Sequence, residues 1–185
     1  MKSKVGKLLI AHPNLPSDNW FNKTVIYIYA DDPQQGTLGL ALNVKTTLQV
    51  RKLCYDRGIL YPHDSHQCYR GGPMNPHSCI MIHTDEWTSQ NTVTAGPRYN
   101  LSSDNQMFER LAVLDQPAYW RICLGISGWA PGQLDAELNG QFPYTTANSW
   151  LTADANDNIM FEHDGEEQWK AAVELSSQQM INQYF

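Results

Sequence analysis

The sequence predicts an α+β fold in one compact domain, and three observations carry that prediction. Strand-like segments gather in the first part of the chain, while helical spacing strengthens toward its end, so the two classes are mixed without regular alternation. The 185 residues are 42% hydrophobic, enough to build one core without disulfide or metal staples. No internal repeat, low-complexity tract or linker divides them.

In order along the chain, Lys7–Ala11 is a short apolar run stopped by Pro13. Residues 24–30 are unbroken and β-rich, as in a strand buried on both faces. Residues 37–43 alternate Leu38, Leu40 and Leu42 with Gly39, Ala41 and Asn43, leaving a small face for close approach. The loop 31–36 between them predicts a hairpin. Residues 48–57 carry a weak helical pattern. Residues 68–70 and 78–83 read as strands around a sharp Gly71-Gly72-Pro73 turn, and 92–95 as a short strand. Ser103 followed by Gln106 resembles a capping box that opens a helix to Leu114. A strand over 119–126 and a loop over 139–148 follow. A helix over 166–180 places Trp169, Ala172, Val173 and Ser176 on one side.

The least ordinary stretch is 124–138, Leu-Gly-Ile-Ser-Gly-Trp-Ala-Pro-Gly-Gln-Leu-Asp-Ala-Glu-Leu. Its three glycines, proline and tryptophan predict a tight strand-to-helix turn pinned by one large ring. Such a turn can mount a nucleophile or cradle an anion. The Gly125-Ile-Ser127-Gly128 run is a near miss for a nucleophile elbow, which needs glycine two residues after the serine, where Trp129 stands. The amides of residues 130–133 could hold an anion at a helix start, but Asp135 and Glu137 follow directly. Close packing of strand on helix is the simpler use of the glycines. Asp135 and Glu137 are two apart on a helix, so they point to different sides and make a poor acid–base pair.

The formal net charge of −6 repels nucleic acid, and the densest basic stretch, 45–57, is diluted by apolar residues and reads as a solvated helix face. Direct nucleic-acid binding is therefore not expected. The basic N-terminus is followed by an apolar run too short for a signal peptide, and no stretch approaches a membrane helix. Four cysteines without a CxxC pair fit reduced thiols in the cytoplasm. Cys123, mid-strand, reads as a buried inert thiol. His63, His66, Cys68, His77, Cys79 and His83 lie within 21 residues and could supply a tetrahedral zinc site, although their spacing fits no standard ligand pattern. No metal or cofactor is expected on balance.

The segments Gly6-Lys-Leu-Leu-Ile-Ala-His-Pro-Asn-Leu15, Lys23-Thr-Val-Ile-Tyr-Ile28 and Gly36-Thr-Leu-Gly-Leu-Ala-Leu-Asn43 closely resemble the opening of the AlgH/YqgE family. The resemblance continues through Gly71-Gly72-Pro73-Met74, residues 78–83, 124–137 and 148–151, and ends at Trp169-Lys-Ala-Ala172. It implies a small cytoplasmic bacterial protein with a mixed, largely antiparallel, bifurcated and partly barrel-like sheet and flanking helices. It also implies the family's usual label, a transcriptional regulator, with no established catalytic residue. The chain departs from the family where Ser78 stands for arginine, Cys79 for glycine and Val44-Lys45 for Arg-Pro; residues 139–147 look inserted. The expectation is an uncharacterised regulator acting through an unknown protein partner. The resemblance offers Asn43, Gly71, Gly72, Pro73, His83, Gly128, Trp129, Gly132 and Gln133 as surface candidates. The alternative is a small-molecule or metal-binding enzyme that uses the glycine turn at 125–133 or the His/Cys cluster at 63–83.

Overall fold

The computed structural model describes residues 3–63, 66–144 and 149–184. Part of the loop and insertion read from the sequence, residues 145–148, lies outside them.

The chain opens with three antiparallel strands, β1 (Lys7–Ala11), β2 (Val25–Asp32) and β3 (Gly36–Ala41). Residues 25–28 of β2 are buried on both faces, as their uninterrupted apolar run predicts. A short strand β4 (Lys45–Gln49) and helix α1 (Val50–Tyr55) come next, so the weak helical pattern at 48–57 is realised only in its middle. Then follow β5 (Gln67–Arg70), the long β6 (Met74–Thr84), β7 (Val93–Thr94), β8 (Tyr99–Ser102) and helix α2 (Asn105–Ala112). The cap of α2 is Asp104 rather than Ser103: its carboxylate accepts from the Met107 amide at 2.9 Å. The chain finishes with β9 (Trp120–Trp129), α3 (Gln133–Asn139), β10 (Trp150–Asp154), α4 (Asp157–Phe161) and α5 (Gly165–Tyr184).

All ten strands join one sheet, which forks at β9. On one edge, β9 pairs antiparallel with β6. On the other edge, its first half pairs parallel with β5, Tyr69 opposite Cys123, whereas its second half takes β3, Leu38 opposite Gly128. The change of partner falls at Gly125, whose φ of 74° breaks the regular strand. Gly71 bridges the fork: its amide donates to the Leu124 carbonyl at 2.7 Å and its carbonyl accepts from the Ala41 amide at 2.8 Å.

The sheet curls into a half-barrel. Tyr27 on β2 meets Tyr99 on β8 edge-on at 5.4 Å and donates its hydroxyl to the Ala95 carbonyl at 2.6 Å. Three strands (β3, β9 and β6) separate β2 from β8 in the sheet order, so only curvature brings these side chains together. Strand alternation then feeds two apolar cores. Met81 and Ile122 face one core with Val50, Leu53, Met107, Phe108 and Leu111 of α1 and α2. Ile82 and Cys123 face the other, inside the curl. Helix α5 closes the larger core with Trp169 and Ala172, and Ser176 is also buried on that side. No helix among the described residues is long and apolar enough to cross a membrane.

Candidate functional site

The glycine–tryptophan segment is mostly strand, because β9 runs on to Trp129. The turn is thereby shortened to residues 130–132. Ser127 is fully buried and donates its hydroxyl to the Gly71 carbonyl at 3.1 Å. It is thus placed as a stitch inside the sheet rather than as a nucleophile on an exposed elbow. A methyl group at Gly72 would overlap the backbone of Ile126, so the Gly71-Gly72 turn packs directly on β9 with no cleft between them. The anion cradle is not assembled either. The Ala130 amide is taken by the Gln133 side chain at 3.0 Å, and Asp135 in the first turn of α3 pairs with Lys4 at 2.7 Å.

The nine surface candidates divide accordingly. Asn43, Gly71, Gly72, His83 and Trp129 are buried; Gly128 and Gln133 are half-buried; Pro73 and Gly132 are exposed. Asn43 accepts from the Val25 amide at 2.9 Å and donates to the Lys23 and Gly165 carbonyls at 2.8 and 2.9 Å, tying β2 to the start of α5. His83 bonds the Thr84 carbonyl through Nδ1 at 2.8 Å and the Ser102 hydroxyl through Nε2 at 2.9 Å. A carbonyl only accepts, so Nδ1 carries the proton and Nε2 receives the hydroxyl hydrogen. Burial lowers the pKa of this ring, against smaller opposing effects of the Thr84 bond and Glu86.

The His/Cys stretch is dispersed. His63 reaches the Ala112 carbonyl, His66 lies against Trp120, and His77 is exposed. Among the described residues no three His, Cys, Asp or Glu side chains are grouped to hold a metal. All four cysteines are free thiols. Burial raises Cys68 and Cys123 to about 12 and Cys79 to about 11, so none carries a reactive thiolate near neutral pH.

Two polar sites escaped the sequence reading. The first is Arg121, 4% exposed on β9. Its guanidinium donates to the carbonyls of Leu42 (2.6 Å), His163 (2.6 Å) and Phe161 (3.2 Å) and to the Gln168 side chain (2.7 Å), and lies over the Tyr69 ring. Burial pushes its pKa down. Asp164, bonded to Tyr69 at 2.6 Å and paired with Lys45 at 2.6 Å, closes the set. Burial would raise the Asp164 pKa, but those bonds and the Arg121 charge bring it below its ordinary value. Lys45, Tyr69 and Arg121 border a cleft of about 560 Å³, yet the polar groups of the set satisfy one another, and Arg121 acts as a clasp between β9 and the α4–α5 joint. A lone charge inside an apolar strand was the available signal.

The second is Glu137. Its Oε2 accepts from the indole N–H groups of Trp129 (3.1 Å) and Trp150 (2.8 Å), and its Oε1 from Gln133 Nε2 (2.8 Å). Phe21 stacks on Trp129 and meets Trp150 edge-on. Together they line a cleft of about 250 Å³. Asp135 and Glu137 do face different ways, toward Lys4 and toward the indoles respectively.

The surface also carries an apolar patch. Leu60 is 84% exposed and Tyr55 76%, on a shallow groove shared with Ile59 and Tyr61. Val113, 74% exposed, and Leu114 are further exposed apolar side chains, just after α2. Arg51, Lys52 and Arg57 lie on the same stretch of chain and are exposed.

These features define a class: a forked, half-barrel α+β domain whose glycine-rich signature serves packing. The AlgH-like family model matches residues 8–181, and the chain belongs to that family. A UPF0301 protein of Hydrogenovibrio crunogenus is 30% identical over 169 residues, covering 89% of this chain and 85% of its own. A UPF0301 protein of Haemophilus influenzae is 29% identical over 175 residues, covering 92% and 89%. The solution structure of AlgH from Pseudomonas aeruginosa superposes with a TM-score of 0.75 at 28% identity, covering 95% of this chain and 92% of that one. A crystal structure from Corynebacterium diphtheriae shares the fold, with a TM-score of 0.67 at 21% identity over 90% and 83%.

Proposed function

We propose that this chain is a cytoplasmic regulatory protein that acts by contact with another protein rather than by reading DNA. The observation that carries the reading is the apolar patch after α1, where the exposed Tyr55 and Leu60 share one shallow groove with Ile59 and Tyr61. Large exposed apolar groups gathered in one place mark interaction surfaces, whereas scattered ones do not. The basic side chains beside the patch, in a chain of net charge −6, favour a partner segment with apolar side chains flanked by carboxylates. The same net charge opposes nucleic acid, and four free thiols, three of them buried, suit a reducing compartment.

The test is affinity capture from the native host with the wild type and with a Tyr55→Ser, Leu60→Ser double variant. Substitution of exposed side chains leaves the unfolding midpoint near wild type. The reading expects a partner held by the wild type and released by the double variant. Identical capture by both proteins, or a mobility shift of promoter DNA at micromolar protein and low salt, opposes it.

A further inference from the structure

Glu137 presents a charge that its surroundings do not explain. It is half-buried, and its three bonding partners (the indoles of Trp129 and Trp150 and the Gln133 amide) are all neutral. Among the described residues it makes no ion pair. Charges drawn out of water are ordinarily paired. The two indole hydrogens share Oε2 and the Gln133 amide takes Oε1, so neutral donors satisfy both oxygens while the negative charge itself has no counter-ion among the described residues.

The carboxylate also sits in a lined space. Phe21, Trp129, Trp150 and Tyr144 supply aromatic walls, and the half-buried Leu15 lines the cleft beside them. At about 250 Å³ the cleft falls below the range of drug-sized pockets, roughly 300–1,000 Å³. A side-chain-sized group fits it. Among the described residues Oε1 accepts a single bond, which leaves it an acceptor direction. The two indoles hold the carboxylate in one orientation before any ligand arrives, which lowers the ordering cost of binding.

We propose that the Glu137 cleft binds an organic cation, an ammonium or guanidinium group on a short apolar stem, with Glu137 as the charge partner and the aromatic rings covering the stem. The same chemistry can come from a free amine or from a lysine or arginine side chain of a protein. The site is distinct from the apolar patch, and its assignment does not depend on that surface.

Two-dimensional NMR of the 15N-labelled full chain tests this through the indole N–H signals of Trp129 and Trp150. Titrants are n-pentylamine, n-butylguanidinium, a terminally blocked peptide with one central lysine, and n-pentanol as the neutral control. The expected result is a saturable shift of both indole signals with at least one cation and none with pentanol. Glu137→Gln, retaining an acceptor for the indoles, should weaken that binding at least tenfold. A peptide that binds tenfold tighter than the amine points to a protein side chain, and equal binding points to a free amine; both support the site. Leu15→Lys provides a second readout that leaves the clamp intact: its tethered ammonium should compete with the titrant, whereas Leu15→Met should not. The proposal is overturned by no saturable shift with any cation at tens of millimolar, or by an equal response to pentanol. Unchanged cation affinity in a folded Glu137→Gln, or in Leu15→Lys should the former not fold, overturns it equally.

Discussion

Replacing Arg121 with methionine keeps an unbranched stem on β9 and removes the guanidinium that joins it to the α4–α5 joint. Three acceptors lie within 2.7 Å of that group: the Leu42 and His163 carbonyls and the Gln168 side-chain oxygen. Each loses a charge-assisted bond, and an acceptor orphaned in a buried site costs about 1–3 kcal/mol. Against this, the guanidinium no longer has to be desolvated, which returns part of the loss. Breaking a buried charged cluster from one side nets about 3–5 kcal/mol of destabilisation, a large part of the roughly 5–15 kcal/mol that holds a domain together. For a chain of this size that corresponds to a fall in Tm of roughly 6–20 °C. Urea unfolding followed by tryptophan fluorescence measures the loss, and amide exchange in the first turn of α5 should accelerate with it. Arg121→Lys, which keeps the charge with fewer donors, should fall between. A methionine variant within about 1 kcal/mol of wild type would show that burying the guanidinium costs as much as its bonds contribute, refuting the clasp.

Other expectations follow from the same contacts. Gly72→Ala forces a methyl into the Ile126 backbone and should cost more than about 3 kcal/mol by overpacking, whereas Gly132→Ala has open space and should cost only the left-handed penalty of about 1–2 kcal/mol; equal urea midpoints for the two would contradict the fork geometry. Burial depresses the His83 pKa below its ordinary 6.5, so the unfolded state binds the extra proton, and this contribution to stability is complete above 6.5 and shrinks as pH falls through the window beneath it. NMR titration should find the His83 ring less than half protonated at 6.5, and a ring half-protonated above that pH would reverse the sign. With Cys68, Cys79 and Cys123 raised to between about 11 and 12 and Cys54 also raised by burial, a disulfide-exchange reagent should label the native chain far more slowly than the four thiols of the urea-unfolded chain. Rapid native labelling of any one would contradict their burial.

The elements most legible in the sequence are a strand buried on both faces and a helix with one buried side. Residues 25–28 of β2 carry an unbroken apolar run because apolar groups cover both sides, and α5 shows its stripe because one face meets a core. Strands β4, β8 and β10 carry no strand signal of their own in the sequence. Lys-Thr-Thr-Leu-Gln in β4 is half exposed and polar, and its extended form comes from pairing with β5. Glycine misled at 125–128 for a definite reason: the residue serves equally for a turn and for close backbone approach. Gly125 serves both ends, with φ at 74° and the Gly72 carbonyl oxygen 2.5 Å from where a side chain would begin, whereas at Gly128 approach alone decides, with Met74 Sδ at 2.7 Å.

By itself the sequence determined the α+β class, the hairpin of β2 and β3, the final helix and the family, because each rests on local periodicity or on the identity of short segments. The tertiary structure alone decided which polar side chains are enclosed and what they meet. Asn43 finds Gly165, Arg121 finds Leu42 and His163, and Glu137 joins Trp129 to Trp150. The Asn43 and Arg121 contacts cross the fork at β9 or close onto the α4–α5 joint, and the Glu137 set joins β9 and β10 through α3. Strand register and curvature create them, and neither is written in the spacing of neighbouring residues.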